Sequence, residues 1–138
     1  MTDAEIETFV RSFEDLSLPR NQWTHAGHLT VALWYLSKHT RAEATGLIRD
    51  GIIGYNRHGG KLNGYHETVT LAWIEVIDRF LAERDRSRPI SELVAALLEA
   101  VGGRDYLLRH YSRETLFSDL ARARWVPPDR LGFGSPEA

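Results

Sequence analysis

Residues 89–103 read PISELVAALLEAVGG, and this stretch decides the fold class of the chain. Pro89 suits the first turn of a helix, and the pair Gly102 and Gly103 is a strong signal for its end. Segments elsewhere show the same period of three to four residues, and none alternates with the period of two that marks a strand. In the quoted stretch the period is carried by Ile90, Leu93, Val94, Leu97, Leu98 and Val101.

Four more main helices are predicted on the N-terminal side of this one. Their starts are marked by capping residues, and their ends by proline, glycine or a turn-rich loop. The first extends from a capping box at Thr2 and Glu5 to Pro19, with Leu16 on its apolar face; the second starts near Thr24; the third starts at a capping box of Thr40 and Glu43; a loop covers residues 56–64; and the fourth covers residues 65–83.

The C-terminal part of the chain is predicted to add little further helix. A short helical turn is expected over residues 106–110, and Ser112 or Ser118 is a candidate cap for a last helix that reaches Trp125. We therefore expect an all-α fold, an up-and-down bundle of about five main helices plus a short C-terminal helix. Residues 1–125 form the single domain, and residues 126–138 form an extended tail.

The third helix carries an unusual number of glycines. Gly46, Gly51 and Gly54 each cost a helix roughly 1 kcal/mol relative to alanine. Either this helix is weak, or a neighbouring element packs closely against its backbone.

The composition narrows the possible chemistry. The 138 residues include no cysteine, so disulfides, thiolate nucleophiles and cysteine-based zinc sites are excluded. A net charge of −2 with mixed signs shows no footprint for nucleic acid or an anionic membrane. The polar, acidic N-terminus is unlike a signal peptide, and no apolar run approaches the roughly 20 residues of a membrane span. A cytoplasmic protein without nucleic-acid or membrane partners is expected.

Three histidines are predicted to meet at one end of the bundle. His25 and His28 are three residues apart, so both side chains leave the same side of the second helix. His66 stands at the start of the fourth helix, on its apolar face. Because short connections make neighbouring helices antiparallel, the second and fourth helices begin at the same end.

This placement favours a metal site. His25, His28 and His66 are candidate ligands of a divalent ion such as zinc, iron, manganese or nickel, with positions left for water or substrate. Glu67 is the candidate acid–base or orienting group beside it. The corresponding function is a metal-dependent hydrolase, lyase or oxygenase that acts on a small molecule.

Other residues at the same end are candidates for substrate binding. Lys61 lies in a glycine-rich loop and suits an anionic substrate, and Trp73 lies two turns below the helix start and would wall a pocket. Tyr111 is brought to the same end by the antiparallel fifth helix. His39 and His58 are interpreted as solvated, and the role of His110 is left open.

Two alternatives use the same residues without a metal. Helix N-termini attract anions and lower the pKa of a nearby histidine, so His25 or His66 could act as a neutral base in a site for a small carboxylate or phosphate. A non-catalytic module that holds a small ligand or a partner helix in the same pocket is the other alternative. Each histidine also has a plain structural interpretation, as a capping group or a hydrogen-bonded core residue.

Three segments carry a resemblance to known sequences. Residues 23–29 (WTHAGHL), 64–68 (GYHET) and 123–129 (ARWVPPD) resemble a group of small uncharacterised bacterial proteins. A W/F-T-H-x-x-H-L opening, a Y-H-E-T helix start and an A-R-x-x-W-V-x-P-D ending recur in that group. The resemblance covers most of the chain and implies no particular activity, cofactor or catalytic residue.

Overall fold

The computed structural model describes residues 1–134, and within them it contains seven α-helices and no strand. Five are long and two are short, so the predicted all-α bundle with a short helical C-terminal part is confirmed. The helices are α1 (Asp3–Glu14), α2 (His25–Lys38), α3 (Arg41–His58), α4 (Glu67–Ala82), α5 (Ile90–Val101), α6 (Arg113–Leu116) and α7 (Asp119–Ala123), with 3₁₀ turns at Arg20–Gln22 and Tyr106–Arg109.

The predicted helix starts are confirmed where a capping side chain was recognised. Thr2 and Glu5 form a complete capping box at α1, and Thr40 and Glu43 form another at α3. The hydroxyl of Thr24 accepts a hydrogen bond from the backbone N–H of Gly27 at α2. These side chains satisfy backbone donors that a helix end would otherwise leave unpaired.

The end predicted for the first helix is wrong. α1 stops at Glu14, and Leu16 takes the left-handed backbone conformation, with φ of 68°, instead of continuing the apolar face. The backbone N–H groups of Ser17 and Leu18 both donate to the carbonyl of Ser12, at 2.9 Å each. The helix therefore ends in a tight left-handed turn that glycine usually provides, and no glycine marks this one in the sequence.

The predicted boundary between the third and fourth helices is also wrong. α3 continues to His58, so only the later part of the predicted loop at 56–64 lies outside a helix. His66 is the N-cap of α4 and lies just before the helix. The extension of α3 places Ile48, Ile52 and Asn56 four residues apart along one face.

α2 is the central element of the bundle. Eight of its fourteen residues are buried, and it packs against α1, α3, α4 and α5. The first turn of α2 and the start of α4 lie at the same end, as the alternating directions predict, because residues from both line one cavity there. The space between α2, α3 and α4 at this end holds the candidate site.

The C-terminal part is two short helices, not the single predicted one. Ser112 caps α6 and Ser118 caps α7, so each serine starts its own helix and the second ends at Ala123. The segment that follows is held against the helices: the N–H of Arg130 donates to the carbonyl of His110 at 2.9 Å. Residues 135–138 of the predicted tail lie outside the described residues.

Across residues 1–134, none of the helices combines the length and the apolar character needed to cross a membrane.

The glycines of α3 offer a matched test of packing. A Cβ added at Gly51 would lie 2.7 Å from the ring of Phe13, which is fully buried and stacks on Trp23, whereas one added at Gly54 would meet no atom within 4 Å. We expect Gly54→Ala to stabilise the protein by about 0.5–1 kcal/mol through helix propensity. Gly51→Ala should destabilise it by about 1–2 kcal/mol, because a packed ring must move. Urea unfolding of the two variants measures both, and equal effects would contradict the close approach of α1 to α3.

Candidate functional site

An apolar cavity opens between α2, α3 and α4. Its volume is about 420 Å³, which falls within the range of roughly 300–1,000 Å³ that is usual for small-molecule sites. Most of its wall is aliphatic or aromatic, and its polar groups come from two histidines, one threonine and one arginine. The lining residues are His25, His28, Leu29, Ala32, Ile48, Ile52, Val69, Thr70, Trp73, Ile74 and Arg104.

A second, polar cavity of about 310 Å³ adjoins the apolar one. The two share His28, Ile52, Val69 and Thr70 as lining residues, so those side chains stand between them. The rest of the polar cavity is formed by the 3₁₀ turn before α2, the last turn of α3 and the loop before α4. Those further residues are Arg20, Trp23, Asn56, Lys61, Gly64 and His66.

His28 is held in one orientation between the two cavities. Its Nδ1 lies 2.8 Å from the carbonyl oxygen of Thr24, and because a carbonyl only accepts, Nδ1 carries the proton. The ring stacks on Trp23 with centroids 3.8 Å apart. Burial lowers the pKa of His28, so the neutral form is favoured near pH 7. The neutral ring has a lone pair on Nε2 that can accept a hydrogen bond or a proton.

His25 also lines the apolar cavity. Its ring meets Trp73 edge to face, with centroids 5.3 Å apart. Among the described residues nothing pairs with its Nε2, which is buried. Burial lowers the pKa of His25, and the positive charge of Arg104 lowers it further, against the opposing effect of the Gly102 carbonyl. A polar atom left unpaired in a buried place is costly.

His66 has a structural task at both ring nitrogens. Nδ1 accepts a hydrogen bond from the N–H of Val69 at 3.1 Å and so caps α4. Nε2 lies 2.7 Å from the carbonyl oxygen of Leu116 and donates to it. Burial is the main cause that lowers the pKa of His66, which agrees with this neutral tautomer. His66 lines the polar cavity with its ring, but no nitrogen lone pair is left for a metal.

The predicted three-histidine metal centre is therefore not assembled in this structure. Across residues 1–134, no three His, Cys, Asp or Glu side chains are grouped so that they could hold a metal ion. His25 and His28 share the apolar cavity, and His28 and His66 share the polar one. The predicted convergence of the two helix starts thus brings the three residues to one region without aiming three lone pairs at one point.

Glu67, the predicted acid–base group, is engaged elsewhere. Its carboxylate accepts two hydrogen bonds from the guanidinium of Arg49, at 3.1 and 2.8 Å, and a third from the hydroxyl of Tyr65. Although burial opposes the effect, these bonds lower the pKa of Glu67. It lines neither cavity. The catalytic role assigned to it from the sequence stays a prediction, and its observed contacts are those of an ion pair between α3 and α4.

The predicted substrate-binding residues fall into two groups. Lys61 lines the polar cavity and Trp73 lines the apolar cavity, as their assignment requires. Tyr111 is fully buried and lines neither, and its hydroxyl donates to the carbonyl of Val126 at 2.7 Å. His110, for which the sequence indicates no particular role, is also buried and donates from Nδ1 to the carbonyl of Leu131 at 2.9 Å.

The charged side chains that line the two cavities are all positive. Arg104 lines the apolar cavity, and Arg20 and Lys61 line the polar one. No aspartate or glutamate of residues 1–134 lines either cavity. This local excess of positive charge contrasts with the net charge of −2 of the whole chain. Such a lining repels a divalent cation and attracts an anion.

Among the lining residues that the sequence did not identify are Arg20, Asn56 and Arg104. Asn56 was assigned to a loop, although it follows Ile48 and Ile52 at the four-residue spacing of a helix face. Extending the third helix to its true end would have exposed that pattern. Arg20 and Arg104 lie in connections between helices, where no period in the sequence indicates which way a side chain points.

The YHET segment that carries part of the resemblance holds the C-terminal segment in place. His66 donates to the carbonyl of Leu116, and the hydroxyl of Thr68 donates to the carbonyl of Arg124 at 2.7 Å. The same hydroxyl accepts from the N–H of Val126 at 3.1 Å. The helix start at 66–68 therefore contacts the segment at 123–129 directly, through Thr68.

Comparison of the chain with protein-family models, with curated proteins and with solved structures found no match.

Proposed function

We propose that this protein is a binding module for a small, largely apolar molecule, held in the apolar cavity between α2, α3 and α4. The observation that carries this proposal is the cavity itself: about 420 Å³, lined mainly by aliphatic and aromatic side chains, with a few polar groups at its ends. Burial of apolar ligand surface there contributes roughly 25 cal/mol per Å². The polar groups fix the orientation of the ligand, as in most small-molecule sites.

The polar groups of this cavity favour binding over catalysis. His28 is oriented by Thr24 and Trp23, and His25 is packed on Trp73, so both rings are rigid parts of the wall. A general base needs a partner or substrate that completes a proton path, and Glu67 is paired with Arg49 instead. The binding module was one of the two alternatives raised by the sequence, and the lining supports it over the metal-dependent enzyme.

The proposal is tested by titration with a neutral apolar probe. Octan-1-ol should shift the ¹H–¹⁵N resonances of α2, α3 and α4 that line the apolar cavity, and the indole N–H of Trp73, in a saturable manner. Resonances of the exposed α1 residues Glu5, Glu7 and Thr8 serve as the internal control. Shifts spread evenly over the molecule, or no shift up to the solubility limit of octan-1-ol, would overturn the proposal. The same titration after treatment with a chelator should be unchanged, since binding depends on no metal.

A further inference from the structure

We infer that the ligand carries an anionic oxygen group, which the polar cavity receives while the apolar body occupies the apolar cavity. This inference rests on the proposed function, because it describes the other end of the same molecule. The first support for it is that the apolar and polar cavities are neighbours, because they share four lining residues. A molecule with one polar end can therefore extend from the apolar cavity into the polar one.

The second support is the charge of the polar cavity. Arg20 and Lys61 line it, and no carboxylate of the described residues does. Charge-assisted hydrogen bonds from such groups to a carboxylate or phosphate are the strong ones. His28 and the capping His66 add no donor in their neutral tautomers, so the anion would rely on the two cationic side chains and on Asn56.

Asn56 provides the third support. Its residue is 8% exposed and lines the polar cavity. The amide N–H₂ is a donor that suits an anionic oxygen, and its place in the cavity wall makes it available to a bound ligand.

The glycine-rich loop makes room for these donors. A Cβ at Gly59 would collide with the guanidinium of Arg20, which also lies 5.2 Å above the ring of Tyr55. A Cβ at Gly64 would stand 3.1 Å from the Nδ2 atom of Asn56. The absence of a Cβ at Gly59 leaves room for the Arg20 guanidinium, and Arg20 lines both the polar cavity and a neighbouring cavity formed in part by Tyr55 and Gly59. The absence of a Cβ at Gly64 leaves room for the Asn56 amide. The turn-rich composition that predicted a loop has this second consequence for the site.

The test compares octanoate with octan-1-ol, which has the same carbon chain and no charge. We expect octanoate to bind roughly tenfold more tightly at low salt, with the preference falling as salt rises. Octyl phosphate is the third probe, and the tighter of the two anions identifies the head group as carboxylate or phosphate.

Matched variants test whether the cationic side chains of the polar cavity cause the tighter binding of octanoate. Lys61→Gln and Arg20→Gln should each reduce the ratio of octanoate affinity to octan-1-ol affinity several-fold. The controls are Lys38→Gln, which removes the other lysine of the chain, and Arg84→Gln, which removes a guanidinium stacked on Phe80. Equal affinity for octanoate and octan-1-ol overturns this inference and leaves the proposed function standing. Failure of all three probes to bind overturns both.

Discussion

Ile52→Trp is expected to abolish binding of octan-1-ol and octanoate, with a loss of roughly 100-fold or more in affinity. Ile52 is half-buried and lines both cavities, so an indole at this position occupies the space that the ligand needs. The lost affinity corresponds to about 3 kcal/mol, the scale of burying one apolar side chain. Isothermal titration calorimetry with each probe measures the loss.

Ile53→Trp is the matched control for this prediction. Ile53 is the next residue of α3, is also half-buried, and lines neither cavity. Both variants should keep the helical circular dichroism of the parent protein. If Ile52→Trp bound the probes as tightly as the parent while Ile53→Trp did not, the ligand would have to lie elsewhere.

His66→Ala is expected to produce the largest loss of stability among the histidine variants, about 2–4 kcal/mol. The change removes the cap of α4, which costs roughly 1 kcal/mol, and leaves the carbonyl of Leu116 without its donor, which costs roughly 1–3 kcal/mol. His66→Asn keeps a capping side chain and loses only the contact with Leu116. Its free energy of unfolding should therefore lie between those of the parent protein and His66→Ala. Urea unfolding measures the free energy of unfolding of the parent protein and of both variants.

The same variants separate a structural histidine from a metal ligand. A metal that binds the folded state stabilises it, so a chelator would destabilise the parent protein and leave His66→Ala unaffected. We expect the parent to be insensitive to the chelator. A chelator-dependent melting temperature in the parent, absent in His66→Ala, would restore the metal site predicted from the sequence.

The pH dependence follows from the same contacts. Burial lowers the pKa of His66 below its ordinary value of 6.5, so the unfolded chain takes up a proton before the folded one does. The stability that the neutral ring contributes is complete above pH 6.5 and is lost as the pH falls from there through the lower, folded-state pKa. His25, His28 and His110 are shifted in the same direction. The unfolding free energy of His66→Asn should therefore fall less steeply below pH 6.5 than that of the parent.

At the candidate site the sequence predicts where the histidines lie, and the tertiary structure determines where their ring nitrogens point. The sequence brought His25, His28 and His66 to one end of the bundle by helix counting alone, and the structure places all three around two adjoining cavities. It did not reveal that the ring nitrogens of His66 point to Val69 and Leu116. Spacing along a helix specifies which face a residue occupies, whereas hydrogen-bond partners fifty residues away depend on the packed chain.

The sequence by itself determined the helical class, the threonine caps of α1, α2 and α3, and most of the face that each long helix buries, because these depend on contacts within a few residues. Only the tertiary structure decided where α3 ends, that Glu67 pairs with Arg49, and that Arg20, Asn56 and Lys61 surround one cavity. Those outcomes join residues far apart in the chain. They depend on how the ends of three helices and two connections pack, which no local period records.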